Sequence, residues 1–232
     1  MPTPIPDPAL ISPGTLGTRI IQDDWRAGYD RRNKLLLMEG RRPDAVFIGD
    51  SLTGDWPTNE SFGDLFPICL NRGIGGDAAM HVHLRLEADA LQLKPRNLFF
   101  MIGTNDIAFR FGYDSDEKIL ADLEANYRKS FAMMRGRDSA VWIGAIPPTR
   151  QHWLKDEMFP RKRVIVPAAN RLLAQLASEH GFAFLDYCTP MEEAPGVLRS
   201  ELTNDGCHFT AQGYWVLNRV VREAVEAAIR KR

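Results

Sequence analysis

The amino-acid sequence predicts an α/β protein with three layers (α/β/α), in which helices cover both faces of a five-stranded parallel sheet. Short apolar runs alternate along the chain with longer segments of helical periodicity. The runs are continuously apolar, as strands are when both faces of a parallel sheet are buried. A length of 232 residues suits one domain with a sizeable core. Together these observations are typical of alternating βα units.

The predicted elements follow one another in a regular order. The predicted strands are five apolar runs, at residues 45–49, 66–71, 97–102, 140–146 and 182–186. The second run is the weakest of them. The predicted helices occupy residues 18–38, 78–93, 116–134, 167–180 and 211–229. In the last helix an amphipathic stripe is formed by Val216, Val220, Val221, Ala224, Val225 and Ala228. We interpret residues 1–40 as an N-terminal arm and helix packed on the domain, and residues 41–232 as the domain itself.

The composition argues against several classes of partner and location. Basic and acidic residues, 29 against 30, nearly cancel, so we expect no nucleic-acid partner. Apolar runs stay below 18 residues, so we expect no transmembrane segment. The N-terminal residues lack the basic and apolar regions of a signal peptide. We therefore expect a cytoplasmic protein, or a secreted or periplasmic one if a signal peptide has been removed.

The cysteines and histidines do not predict a metal site. Cys69, Cys188 and Cys207 lie far apart without C-x-x-C spacing, so neither a disulfide framework nor a zinc cluster is expected. Cys207 is interpreted as a small buried filler. His81 and His83 are two residues apart on a predicted helix, so their side chains face different directions. We expect neither a metal nor another cofactor.

Polar sequences follow three of the predicted strands and precede the last helix. They are Gly49-Asp50-Ser51-Leu52, Gly75-Gly76-Asp77, Gly103-Thr104-Asn105-Asp106 and Asp205-Gly206-Cys207-His208. Ligands of open α/β sheets bind beyond the carboxyl ends of the strands. We therefore expect these sequences to meet in one crevice.

Ser51, His208 and Asp205 are candidates for nucleophilic catalysis. A serine hydroxyl needs a base to remove its proton, and His208 can be that base. Asp205 lies three residues earlier and can accept a hydrogen bond from the other ring nitrogen. Each residue also has an ordinary structural interpretation. Ser51 could cap a helix, Asp205 could only form a turn, and a single histidine is often structural.

Two further sequences suit the stabilisation of an oxyanion. The amide of Asn105 could donate to a developing negative charge, or it could bond its own backbone. The glycines of residues 73–76 allow a backbone N–H to approach a ligand closely, or they form a tight turn into a helix capped by Asp77. A dinucleotide-binding fingerprint is excluded, because Ala78 occupies its third glycine position and the loop does not follow the first strand.

In their order along the chain, these sequences resemble the four blocks of the SGNH (GDSL) hydrolases. The blocks begin at Phe47-Ile48-Gly49-Asp50-Ser51-Leu52. The stretch of residues 71–86 is similar to the platelet-activating-factor acetylhydrolase branch and its bacterial relatives. The resemblance covers residues 44–227 and implies a flavodoxin-like sheet. The G-x-S-x-G elbow of the α/β-hydrolases is absent around Ser51, so that fold is disfavoured.

The resemblance also implies an activity and a role for each residue. It implies a serine esterase that acts through an acyl-enzyme on small acetyl or short-acyl esters. Ser51 is the implied nucleophile, His208 the base and Asp205 the acid that orients it. The implied oxyanion hole consists of the backbone N–H groups of Ser51 and Gly76 and the amide of Asn105. The implied partner is a small-molecule ester, and a homo-oligomer is left open.

Residues 149–161 form a longer and more aromatic segment than the simplest family members have. We expect it to cover the acyl or alcohol pocket, with Leu52, Trp153 and Phe159 as pocket residues, or else only to pack against the domain. The same constellation would serve an acyl thioesterase or a lysophospholipase. A catalytically silent carbohydrate-binding module on this fold is the remaining alternative, which the presence of all three catalytic candidates disfavours.

Overall fold

The computed structural model describes residues 9–11, 20–108, 114–150 and 159–231. The central sheet has the strands β1 (Ala45–Gly49), β2 (Cys69–Gly73), β3 (Asn97–Met101), β4 (Ala140–Gly144) and β5 (Ala183–Leu185). These strands are all parallel and lie in the order β2-β1-β3-β4-β5. This confirms the predicted five-stranded parallel sheet and its flavodoxin-like strand order.

Helices connect the strands. Those of the described residues are α1 (Ile20–Met38), α2 (Ser51–Gly54), α3 (Thr58–Phe62), α4 (Ala79–Asp89), α5 (Thr104–Ala108), α6 (Asp116–Met134), α7 (Phe159–Glu179), α8 (Cys188–Met191) and α9 (Ala211–Arg230). A small antiparallel hairpin, β6 (Glu192–Ala194) and β7 (Val197–Leu198), follows α8. Within the described parts of the chain, every helix falls short of the length and apolarity that a bilayer-spanning segment needs.

Successive residues of each strand face opposite sides of the sheet, which produces two separate cores. Val46 and Ile48 belong to the core under α4, α6 and α7. Ala45 and Phe47 belong to the core under α2, α3 and α9. All four side chains are at most 1% exposed. The three predicted layers are therefore present, and the strands are continuously apolar because both faces of the sheet are covered.

Helix α1 packs against α4 and contacts the edge strand β2. The Tyr29 hydroxyl donates to the carbonyl oxygen of Gly73 at the end of β2, at 2.6 Å. Arg26 forms an ion pair with Asp89 at the end of α4. The N-terminal helix is therefore tied to the domain by polar contacts. The division of the chain at residue 40 stays a prediction.

Several predicted boundaries are wrong, with the largest shifts at α4, β2 and α7. Helix α4 ends at Asp89 rather than at residue 93, because residues 91–93 form a separate 3-10 turn. Strand β2 begins at Cys69 rather than at residue 66, because the Phe66 N–H donates to the Phe62 carbonyl at 2.7 Å and extends the turn after α3. Helix α7 begins at Phe159 rather than at residue 167, and Pro167 lies inside it. The extra turns bury Ile165 and Val166 in the core, which offsets the backbone hydrogen bond that a proline cannot donate.

Candidate active site

Ser51 is the first residue of α2 and lies directly after the carboxyl end of β1. The helix is capped by Asp50, whose Oδ1 accepts a hydrogen bond from the Leu52 N–H at 2.9 Å. The interpretation of Ser51 as the cap is therefore wrong. Its hydroxyl oxygen lies instead 3.0 Å from Nε2 of His208, a residue 157 positions away in the sequence.

Asp205 organises the turn that carries His208. Its Oδ2 lies 2.6 Å from the His208 Nδ1. Its Oδ1 accepts from the backbone N–H groups of Cys207 and His208, each at 2.8 Å. One carboxylate oxygen therefore shapes the turn, and the other orients the ring with Nε2 towards Ser51. Burial acts to raise the pKa of Asp205, but the hydrogen bonds from His208 and the two N–H groups outweigh it and lower the pKa.

Thr203 and Arg150 hold this turn in place. The Thr203 hydroxyl donates to the His208 carbonyl at 2.7 Å and accepts from the Gly206 N–H at 2.9 Å. The Arg150 N–H donates to the Gly206 carbonyl at 2.7 Å. Neither residue was identified from the sequence. Arg150 lies in the loop after β4 and contacts a turn more than 50 positions later, and no local sequence pattern indicates such a contact.

The glycine loop and Asn105 face each other across the same end of the sheet. Gly76 has a φ of +83°, a conformation that favours glycine. The Asn105 amide is buried and donates to the Asp77 carbonyl at 2.8 Å. Gly75 lies beside Ser51, since a Cβ placed on it would be 3.8 Å from the Ser51 Cβ. The structure therefore brings the four polar sequences together, as the strand-end rule predicts.

The predicted cap of α4 by Asp77 is wrong. The N-cap residue is Ala78, and its N–H donates to Nδ1 of His81 at 3.0 Å. The Asp77 carboxylate instead accepts a hydrogen bond from the buried Arg85 Nε at 2.7 Å. His83 points elsewhere, with its Nδ1 3.5 Å from the Ser130 hydroxyl. In the described residues no three metal-ligating side chains cluster.

Two buried acidic groups near Ser51 have raised pKa values. Burial raises the pKa of the Cys207 thiol to about 12, in keeping with its interpretation as a filler. Burial, together with the negative charges of Asp106 and Asp77, raises the pKa of Asp50 to about 7. The cap of α2 is therefore a carboxyl group that titrates near neutral pH.

The three predicted substrate-pocket residues, Leu52, Trp153 and Phe159, are not all described by the structure, and those that are lie in different elements. Leu52 is 2% exposed and packs in the core under α9. Trp153 lies outside the described residues, and Phe159 begins α7. Residues 159–161 are therefore helical, so the predicted loop does not include them, and residues 151–158 lie outside the described residues. The role of these residues in a pocket stays a prediction.

Comparison with known proteins places the chain in a family. A model of the GDSL-like Lipase/Acylhydrolase family matches residues 47–216, which include all the site residues above. Platelet-activating factor acetylhydrolase IB subunit alpha2 of Rattus norvegicus is 36% identical over 87 residues, 36% of this chain and 37% of that protein. Subunit alpha1 of the same organism is 42% identical over 69 residues, 28% of this chain and 30% of that protein. The chain thus spans 37% or less of the length of these two relatives.

Solved structures share the fold over most of their length. A GDSL-like lipase from Bacteroides thetaiotaomicron superposes with a TM-score of 0.70 at 23% identity, covering 87% of this chain and 97% of that one. An acetylxylan esterase from Geobacillus stearothermophilus gives a TM-score of 0.60 at 20% identity, covering 76% and 91%. The shared fold and the family match agree on the class of the protein, an α/β domain of the acylhydrolase type. The chain belongs to the GDSL-like lipase/acylhydrolase family, which confirms the resemblance found in its motifs.

Proposed function

We propose that the protein is a serine esterase that hydrolyses small carboxylic esters carrying an acetyl or another short acyl group. The observation that carries the proposal is one continuous chain of hydrogen bonds. It runs from Asp205 through the ring of His208, at 2.6 Å, to the hydroxyl of Ser51, at 3.0 Å. This is the arrangement in which a histidine can act as base towards a serine nucleophile.

The reaction proceeds in two halves. His208 Nε2 takes the proton of Ser51 as the hydroxyl oxygen attacks the acyl carbon, and the Asp205 carboxylate stabilises the imidazolium that forms. The carbonyl oxygen becomes an oxyanion and is bound by the N–H groups of Ser51 and Gly76 and by the Asn105 amide. The alcohol leaves with the proton from His208. Water then attacks the acyl-enzyme, with His208 again as base, and the carboxylic acid is released.

The preference for a short acyl group rests on the relatives. The names of the curated relatives specify an acetylhydrolase, and that of one structural neighbour specifies an acetylxylan esterase. Their alcohol groups differ, so the shared chemistry is the acetyl side of the ester. We therefore assign the specificity of this chain to the acyl group and not to a particular alcohol.

The experiment that tests the proposal is a panel of p-nitrophenyl esters from acetyl to hexanoyl, with matched thioesters. We expect the fastest turnover at the short end, and Ser51→Ala should lower turnover by on the order of a millionfold. Ser61→Ala, a serine replacement on the neighbouring helix α3, serves as control and should retain activity. Circular dichroism should show that both variants are folded.

Covalent labelling gives a second measurement that does not depend on the substrate. A serine-reactive fluorophosphonate should label the wild type and Ser61→Ala, but not Ser51→Ala. Equal labelling of all three proteins would contradict the assignment of the nucleophile. A rate that rises steadily with chain length, or faster cleavage of the thioesters, would instead favour a lysophospholipase or an acyl thioesterase.

A further inference from the structure

A buried ionic cluster lies beneath the glycine loop and takes no part in the reaction proposed above. Its centre is Arg85 on α4, which is 0% exposed. The Arg85 Nε donates to Asp77 Oδ2 at 2.7 Å, and its Nη1 donates to Asp89 Oδ2 at 3.0 Å. Two carboxylates on one guanidinium outweigh the effect of burial and raise the pKa of Arg85, so the group stays charged.

The same guanidinium also binds the ends of two strands. Nη1 donates to the Arg72 carbonyl in β2 at 2.8 Å, and Nη2 donates to the Gly49 carbonyl at the end of β1 at 2.8 Å. Gly49 is two residues before Ser51. The Gly49 carbonyl accepts a second hydrogen bond, from the Ile74 N–H of the glycine loop at 3.0 Å. Arg85 therefore joins the nucleophile strand, its neighbour and the glycine loop.

Asp77 is the point where this cluster meets the proposed oxyanion hole. It follows Gly76 directly, its carboxylate is bound by Arg85, and its carbonyl is bound by the Asn105 amide at 2.8 Å. The Gly76 N–H, one proposed oxyanion donor, thus lies on a loop held from both sides. The other backbone donor, on Ser51, follows a strand end held by the same guanidinium.

We infer that Arg85 is a positioning residue, which sets the place of the Gly76 N–H relative to the Ser51 N–H by binding Asp77 and Gly49 at once. The inference rests on the proposed function. A planar guanidinium with several donors in a fixed fork can hold three segments in one geometry. A lysine ammonium keeps the positive charge, but all its N–H donors lie on one nitrogen, so it cannot hold the three segments in the same geometry.

The test compares Arg85→Lys with the wild type by steady-state kinetics on p-nitrophenyl acetate. A displaced oxyanion donor weakens only the transition state, so kcat should fall roughly tenfold to a hundredfold while KM changes little. The rate of fluorophosphonate labelling should fall in parallel, because phosphonylation of Ser51 places an oxygen of the phosphonyl group in the same hole. Rates are corrected for the folded fraction.

Leu173→Ala is the control for a merely structural effect. Leu173 is a fully buried apolar side chain on α7, and its loss removes core packing without removing a side-chain hydrogen bond. This variant should lower the melting temperature and leave kcat per folded molecule unchanged. If Arg85→Lys loses kcat only as much as this control does at equal loss of stability, the positioning role is overturned. A rise of KM with kcat unchanged would overturn it as well.

Asp77→Asn keeps the inference testable if Arg85→Lys does not fold. The replacement is isosteric and removes only the negative charge that Arg85 binds. We expect kcat to fall, as for Arg85→Lys, while KM stays unchanged. An unchanged kcat would contradict the inference. A wild type without Ser51-dependent turnover would refute the proposed function and this inference with it. A wild type that is active, with Arg85→Lys equally active, refutes only the role of Arg85.

Discussion

Two carboxyl groups close to Ser51 lie in opposite environments. The Asp205 side chain is 47% exposed, and its hydrogen bonds lower its pKa. Asp50 is buried, and the pKa of its carboxyl is raised to about 7. Asp205 is therefore ionised at neutral pH, as the partner of a histidine base must be. Asp50 changes its charge in the range in which such a base works.

The titration of Asp50 predicts a dependence of stability on pH. An aspartate has an ordinary pKa of 3.8, so between there and about 7 the folded protein holds a proton that the unfolded chain has lost. Asp50 therefore lowers the free energy of unfolding as pH rises through this window. Asp50→Asn keeps the oxygen that caps α2 and removes the titration. From pH 5 to pH 8, its stability relative to the wild type should rise by up to about 3 kcal/mol.

Urea unfolding of both proteins at several pH values measures this difference. Other titrating groups are common to the two proteins, so the comparison isolates Asp50. Stability curves that stay parallel from pH 5 to pH 8 would show that the Asp50 carboxyl does not titrate in this window.

Replacement of Asn105 tests the contribution of one side chain to the proposed oxyanion hole. Asn105→Ala should lower kcat by roughly a hundred- to a thousandfold with little change in KM, because its amide donates to charge that develops only in the transition state. Asn218→Ala is the matched control, since that amide is hydrogen-bonded as well, to the side chains of Trp56 and Ser61, but lies on α9. A defect of Asn105→Ala confined to KM would mean that the amide binds the substrate instead.

At the scale of elements, the site residues lie at the beginnings of helices. Ser51 opens α2, Asn105 lies in the first turn of α5, and His208 lies three positions before the first residue of α9. Thr210 caps α9 by accepting from the Gly213 N–H at 3.3 Å. Its hydroxyl also donates to the Glu201 carbonyl at 2.9 Å. The start of this helix is therefore fixed next to the turn that carries His208.

Thr210→Ala should lower the free energy of unfolding by about 1 kcal/mol, the usual effect of losing such a cap. Thr210→Ser retains the hydroxyl and should retain most of the stability. Chemical denaturation of the two variants in parallel measures the difference. An equal loss in both would indicate that the methyl group, and not the cap, is what matters at this position.

At the scale of the whole molecule, the packing of helix α2 on the sheet depends on glycines. Helix α2 approaches β2 closely only because glycines lie at the contact. A Cβ on Gly73 would lie 2.1 Å from the Gly54 nitrogen and 2.5 Å from its Cα. Both are backbone atoms of α2 or its end, which cannot rotate away as a side chain can. The distance between β2 and the helix that begins with Ser51 therefore depends on the absence of a side chain at this position.

Gly73→Ala should destabilise the protein by roughly 1–3 kcal/mol or more, because overpacking forces the backbone to move. Gly28→Ala is the control, since the nearest atom to its added Cβ is the Arg31 Nη2 at 4.0 Å. In the interior of α1 that change should stabilise by roughly 0.5–1 kcal/mol. Calorimetry of both variants tests the contrast, and a tolerated alanine at position 73 would contradict the close approach.

The sequence by itself determined the layers, most element positions and the candidate catalytic residues. Apolar periodicity is a local property, so α6 could be predicted at its observed bounds. The polar sequences around Ser51, Asn105 and His208 could be found because each lies at the end of a strand or the start of a helix. The boundaries of some elements could not be predicted, as the starts of β2 and α7 show. Tertiary packing extends a turn or a helix beyond the residues that carry its local pattern.

Only the tertiary structure decided which groups meet. The 3.0 Å contact between Ser51 and His208 joins residues 157 positions apart, and it depends on how the turn before α9 folds back over β1. The sequence also could not predict that Asp77 binds Arg85 instead of capping the N-terminus of α4. A carboxylate can satisfy either partner locally, and the choice depends on burial: a guanidinium enclosed on all sides needs a carboxylate more than an N-terminal N–H does.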